Sequence, residues 1–155
     1  MDENNAVSVV KELIETCKDG QKGYQDGASK VKRPDLKTFF NEQSQERGRF
    51  AGELEAELHR LEAGDKDKDK KVSGSVAGSL HRAWIDTKVS LGAGDKAILE
   101  WMEQGEDRAK DAYQKASSAS LPPNVAELVR RQAASVQKAH DKVKSLRDTA
   151  EAAAA

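Results

Sequence analysis

The chain has little of what would tie it to a membrane, a disulfide scaffold or a nucleic acid. It holds one cysteine, Cys17, so no internal disulfide framework exists and a reducing compartment fits best. No stretch approaches the roughly 20 consecutive apolar residues that span a bilayer. The opening MDENNAVSVV lacks the basic region and apolar run of a secretion signal. A cytoplasmic location is the expectation. Net charge is −1, from 26 Lys and Arg against 27 Asp and Glu interspersed in sign, which recruits neither nucleic acid nor an anionic membrane. With 3 prolines, 5% aromatics and no β-branched clusters, strands have little to build on and an all-α fold leads. No Walker loop, CxxC pair, dinucleotide fingerprint or Ser-His-Asp ordering is found either, so no catalytic or cofactor-binding residue is assigned.

What the sequence does have is helical periodicity. In Asp95–Ser117, Ile98, Met102, Gly105, Ala109, Ala112 and Ala116 recur at three- and four-residue steps. They read as one apolar stripe on a helix, with Glu106 beside it at the midpoint. A first helix is expected from Asn5, as N-cap, to Val31, burying Val10, Leu13, Ile14, Cys17, Tyr24, Ala28 and Val31. Gly20, Gly23 and Gly27 weaken it by roughly 1 kcal/mol each. Since no strand precedes them, they read as close-packing positions rather than a phosphate loop. Arg33-Pro34-Asp35 ends this helix and caps a second, Asp35 to Glu62. That helix turns Leu36, Phe40, Phe50, Ala51, Leu54, Leu58 and Leu61 inward, with Gln43 and Arg47 on the same stripe. A short helix, Val76 to Leu91, follows the solvated loop GDKDKDKKVSGS, whose spacing does not match a calcium loop. Leu121-Pro122-Pro123-Asn124 opens the last helix, to about Thr149, with Val125, Val129, Gln132, Val136, Val143 and Leu146 inward. One domain over residues 1–150 and a disordered Ala-rich tail over 151–155 are expected.

Tight connections make the first and second long helices antiparallel, and likewise the last two. Gly64–Gly94 is long enough to travel the bundle, so the middle two long helices run parallel. This plan is a ferritin-like four-helix bundle with a long crossover carrying an extra short helix. The strings Tyr24-Gln25-Asp26-Gly27 and Tyr113-Gln114-Lys115-Ala116 hint at a duplicated helical hairpin.

Leu13 to Gly20 with Gly23-Tyr24, Arg47-x-x-Phe50, His81-Arg82-Ala83-Trp84, Gly105-Glu106-Asp107 and His140-Asp141 together resemble a bacterial family of ferritin-like bundle domains with no assigned function. The resemblance covers nearly the whole chain and implies the fold. Metal-bearing members of the wider superfamily hold two ions at mid-bundle through a Glu on each of two helices and an E-x-x-H on each of the others. The matching positions here are Cys17, Arg47 with Phe50, Glu106, and Gln137 with His140. Glu106 and His140 are conventional ligands, Gln137 is weaker, and Glu46 is reached only by a one-residue shift. A degenerate, metal-free centre is therefore expected, with Arg47, Glu106, Cys17, Tyr24 and Tyr113 as a buried polar cluster and Arg47 pairing with Glu106. The chain is read as a non-enzymatic bundle in a stress-associated or scaffold role. The alternative is an iron- or manganese-dependent oxidase or iron-handling protein with an atypical site. A homo-oligomer or a protein partner is a further option, for which Trp84, Ile85 and Trp101 would supply apolar surface. His59 is expected to contribute only charge at a helix end.

Overall fold

The computed structural model describes residues 3–62 and 94–154, all but a few of them helical. Four helices make up this part: α1 (Glu3–Lys30), α2 (Pro34–Leu61), α3 (Asp95–Ser117) and α4 (Pro123–Ala154). The short helix expected over Val76 to Leu91, with His81, Arg82, Trp84 and Ile85, lies outside the described residues. Among those described, no helix is long and apolar enough to cross a membrane.

Each helix forms where its apolar spacing allows one buried face. All seven residues of the stripe expected for the first helix are buried, six in α1 and Val31 just past its end. The helix begins two residues before Asn5, a shift at a helix end that leaves the packed face unchanged. At α2 the cap position falls to Arg33 in extended backbone, and Pro34 opens the helix, where its fixed φ suits the first turn. Asp35 lies inside that first turn and pairs with Arg33 at 2.7 Å. The hydrogen bond from Arg33 holds the Asp35 carboxyl below its ordinary pKa. In α4 the helix continues to Ala154, beyond the expected Thr149, as a run of strong helix formers allows.

Asp95 does not cap α3. It is the first residue of α3, and Gly94 holds the cap position. The Asp95 carboxylate instead accepts the backbone N–H groups of Lys32 and Arg33 at 2.8 and 3.0 Å. The start of α3 is thereby tied to the turn between α1 and α2.

The core divides into two apolar clusters, one toward each end. One joins Tyr24, Ala28 and Val31 of α1 to Leu36, Phe39 and Phe40 of α2, Ile98 to Met102 of α3 and Val143 of α4. The other joins the opening half of α1 to the closing halves of α2 and α3 and the opening half of α4. Hence α1 and α4 point one way, and α2 and α3 the other. Helix α1 packs on α2 and α3, α3 packs on α4, and α2 touches α4 lightly. Every neighbouring pair is thus antiparallel, and the parallel pairs face each other diagonally.

The α1 glycines admit large side chains from other helices. A Cβ on Gly23 would lie 3.4 Å from the Trp101 ring, and one on Gly27 would lie 3.2 Å from both Met102 Sδ and Phe40. Trp101 is 1% exposed. Contrary to expectation, it therefore offers no apolar surface to a partner.

Candidate functional site

Between the two apolar clusters lies a polar layer. Arg47 comes from the middle of α2 and is 1% exposed; Glu106 comes from the middle of α3 and is 2% exposed. Arg47 Nη2 donates to Glu106 Oε2 at 2.7 Å across the diagonal of the bundle. Glu106 lies on the buried face of α3, whereas Gly105 and Ala112, expected on the stripe, are only half-buried. The register of that face is set by Trp101, Met102, Glu106, Ala109 and Tyr113.

Burial is the largest effect and opposes the charged guanidinium, but the charge and hydrogen bond of Glu106, together with Tyr24 and Cys17, hold the Arg47 pKa above its ordinary value. The cation also lies over the Tyr24 ring, 5.5 Å from its centroid, where the ring quadrupole attracts it. Space for it comes from Gly20: a Cβ there would approach Arg47 Nη1 to 3.0 Å. The Tyr24 hydroxyl is fully buried beside Glu106 and meets no partner at full hydrogen-bond geometry. Burial first, then the neighbouring Glu106 charge, raises its pKa well above that of a free phenol.

A second set of polar groups continues from this pair. Tyr113 donates its hydroxyl proton to Gln132 Oε1 at 2.7 Å, and Cys17 Sγ lies 3.0 Å from the same hydroxyl. With the phenolic proton committed to Gln132, the thiol is the donor to the Tyr113 oxygen. The Gln132 amide nitrogen donates to the Phe50 carbonyl at 3.3 Å and to Glu53 Oε1 at 3.2 Å, which fixes the direction of the whole chain of bonds. Burial pushes the Cys17 thiol up to about 11. A thiol held neutral in this way is a poor nucleophile.

The remaining candidates sit away from this layer. His140 is mostly buried but engages two exposed carboxylates, Asp107 through Nε2 at 2.7 Å and Asp141 through Nδ1 at 3.2 Å. Gln137 is half-buried and donates to Asp141 at 2.9 Å. Hydrogen bonds from His140 and then Gln137 lower the Asp141 pKa. Glu46 is half-buried beside α2's packed face, and His59 is exposed in the last turn of α2. Among the described residues, no three His, Cys, Asp or Glu side chains converge as a metal would need. The centre does not fit a pair of divalent ions: Glu106 is already committed to a guanidinium, and the facing thiol is neutral and hydrogen-bonded.

Sequence reasoning assigned Gln132 an inward position and no role. Its signal was a polar residue in an otherwise apolar stripe, the same signal that singled out Arg47.

Among the described residues, these features define a bundle of four helices with a buried polar layer at its middle. The chain belongs to the family described as a domain of unknown function, DUF2383, whose model matches residues 5–119. The match takes in α1 to α3 and stops before α4, so it is narrower than the resemblance drawn from the sequence. No curated protein matches the sequence.

Proposed function

We propose that this protein is a non-enzymatic bundle of ferritin-like architecture, in which the Arg47–Glu106 ion pair takes the place of a dinuclear metal centre, and that it acts as a scaffold or in a stress response. The observation that carries the reading is the 2.7 Å contact between a fully buried guanidinium and a fully buried carboxylate at mid-bundle. In a metal-bearing bundle, cations compensate inward-facing carboxylates at this level; here one arginine does so. The shared direction of α2 and α3 supports the ferritin-like plan, which requires a long crossover between them. The neutral Cys17 supports the loss of one carboxylate ligand. Elemental analysis of protein purified without chelators tests the reading, with no stoichiometric iron or manganese expected. Either metal at one or two equivalents would favour the oxidase or iron-handling alternative.

A further inference from the structure

The shift that carries Pro34 onto Pro123 also carries buried positions onto buried positions: Leu13 onto Met102, Phe40 onto Val129, Leu54 onto Val143. It carries Tyr24 onto Tyr113, Gln43 onto Gln132 and Cys17 onto Glu106. The hydrogen-bonded chain Cys17–Tyr113–Gln132 therefore has a counterpart with the hairpins exchanged, Glu106–Tyr24–Gln43. In that counterpart, the Tyr24 hydroxyl and Gln43 Oε1 are both buried without a hydrogen-bond partner. One is a donor and the other an acceptor, the same two groups that meet at 2.7 Å in Tyr113 and Gln132. Buried polar groups left unpaired are rare because each forfeits its solvation.

We infer that the core holds two copies of one polar site, in which Tyr24 and Gln43 stand to Glu106 as Tyr113 and Gln132 stand to Cys17. The inference is independent of whether any metal binds. The same shift accounts for the charge. Arg47 falls on Val136 and Gly20 on Ala109, all four packed at the middle of the bundle or against it. The copy with a carboxylate has an arginine on the diagonal helix and a glycine that makes room for it. The copy with a thiol has a valine and an alanine. Acid, base and space thus change together between the two copies.

The test is to convert one copy into the other in the full chain. Cys17→Glu alone buries an unpaired carboxylate and is expected to lower the urea midpoint sharply. Adding Val136→Arg with Ala109→Gly is expected to recover most of that loss. A triple variant no more stable than Cys17→Glu, or one that does not fold, overturns the equivalence. The placing of Gln43 beside Tyr24 is tested separately, by side-chain amide resonances. Tyr24→Phe should move those of Gln43 as Tyr113→Phe moves those of Gln132. Gln43 resonances unchanged in Tyr24→Phe overturn that placing.

Discussion

A guanidinium sealed between four helices is stable only while its carboxylate faces it. Taking two charges out of water costs several kcal/mol per ion, which their mutual attraction at 2.7 Å roughly offsets. The pair as a whole therefore adds little net stability, whereas half of it is a liability. Arg47→Ala or Glu106→Ala alone should destabilise by roughly 3–5 kcal/mol, because each strands a buried charge. Arg47→Met combined with Glu106→Leu should cost far less than the sum, as read by urea denaturation. Single variants that each lose under about 1 kcal/mol would place the pair among ordinary surface ion pairs instead. Cys17 gives a second residue-scale expectation. Its thiol, with an ordinary pKa of 9.0, is raised to about 11 in the fold, so between these values the unfolded chain releases a proton that the native state keeps. Stability from this group is then full below pH 9 and falls as pH rises toward 11. Tyr113 and Tyr24, also raised, add to the loss at higher pH. Cys17→Ala should flatten the fall between pH 9 and 11; an unchanged slope would show that the thiol titrates freely.

At the scale of the element, glycines in α1 and α2 separate into those that hold a neighbour and those that do not. Gly52, exposed in the middle of α2, has nothing within 4 Å of an added Cβ. Gly52→Ala should therefore stabilise by up to about 1 kcal/mol, the difference in helix propensity. Gly27 is wedged between Met102 and Phe40, each 3.2 Å from where a Cβ would stand. Neither is an exposed side-chain end that can swing away, so Gly27→Ala should destabilise by about 1–3 kcal/mol through overpacking. Opposite signs in thermal unfolding would check both. The helices themselves were legible because apolar residues at three- and four-residue steps leave one solution for which face is buried. The register of α3 was legible in part: Ile98, Met102, Ala109 and Ala116 are buried as expected. Its small residues, Gly105 and Ala112, fit a stripe in sequence, yet they are only half-buried, and the larger Trp101, Glu106 and Tyr113 fill the centre. Periodicity locates a face to within about one position, and volume decides the rest. In α4, Val136 is buried as expected, whereas Gln137, matched to a ligand position beside it, is only half-buried. Arg47 was legible as a charge in an apolar stripe, and so was its need for a partner. The bonds of Gln132 to Tyr113 and to the Phe50 carbonyl were not, because they join three helices that sequence spacing does not relate.

For the whole molecule, the directions of the helices set a demand on the chain between them. Helix α2 ends at Leu61, beside the start of α1, where Lys11 reaches Glu62 at 3.1 Å. Helix α3 begins at the opposite end, with Asp95 bonded to the backbone of Lys32 and Arg33. A helix of 28 residues is about 42 Å long at ~1.5 Å per residue, so the link must cover about that distance. Six residues reach only about 20 Å even fully extended. Replacing residues 63–93 with a six-residue turn should therefore break the bundle: α3 could not keep both its direction and its bonds to the α1–α2 turn. The expected result is loss of cooperative unfolding, or association of two chains that complete each other's bundles. A Gly/Ser link of the native length should keep the helical content and a cooperative transition, at lower stability if residues 63–93 pack against the bundle. Circular dichroism during urea titration, with the mass in solution measured alongside, distinguishes these results. A six-residue variant that stays monomeric and unfolds as cooperatively as the native chain would mean that α2 and α3 can run antiparallel. In that arrangement Arg47 and Glu106 would no longer be diagonal partners.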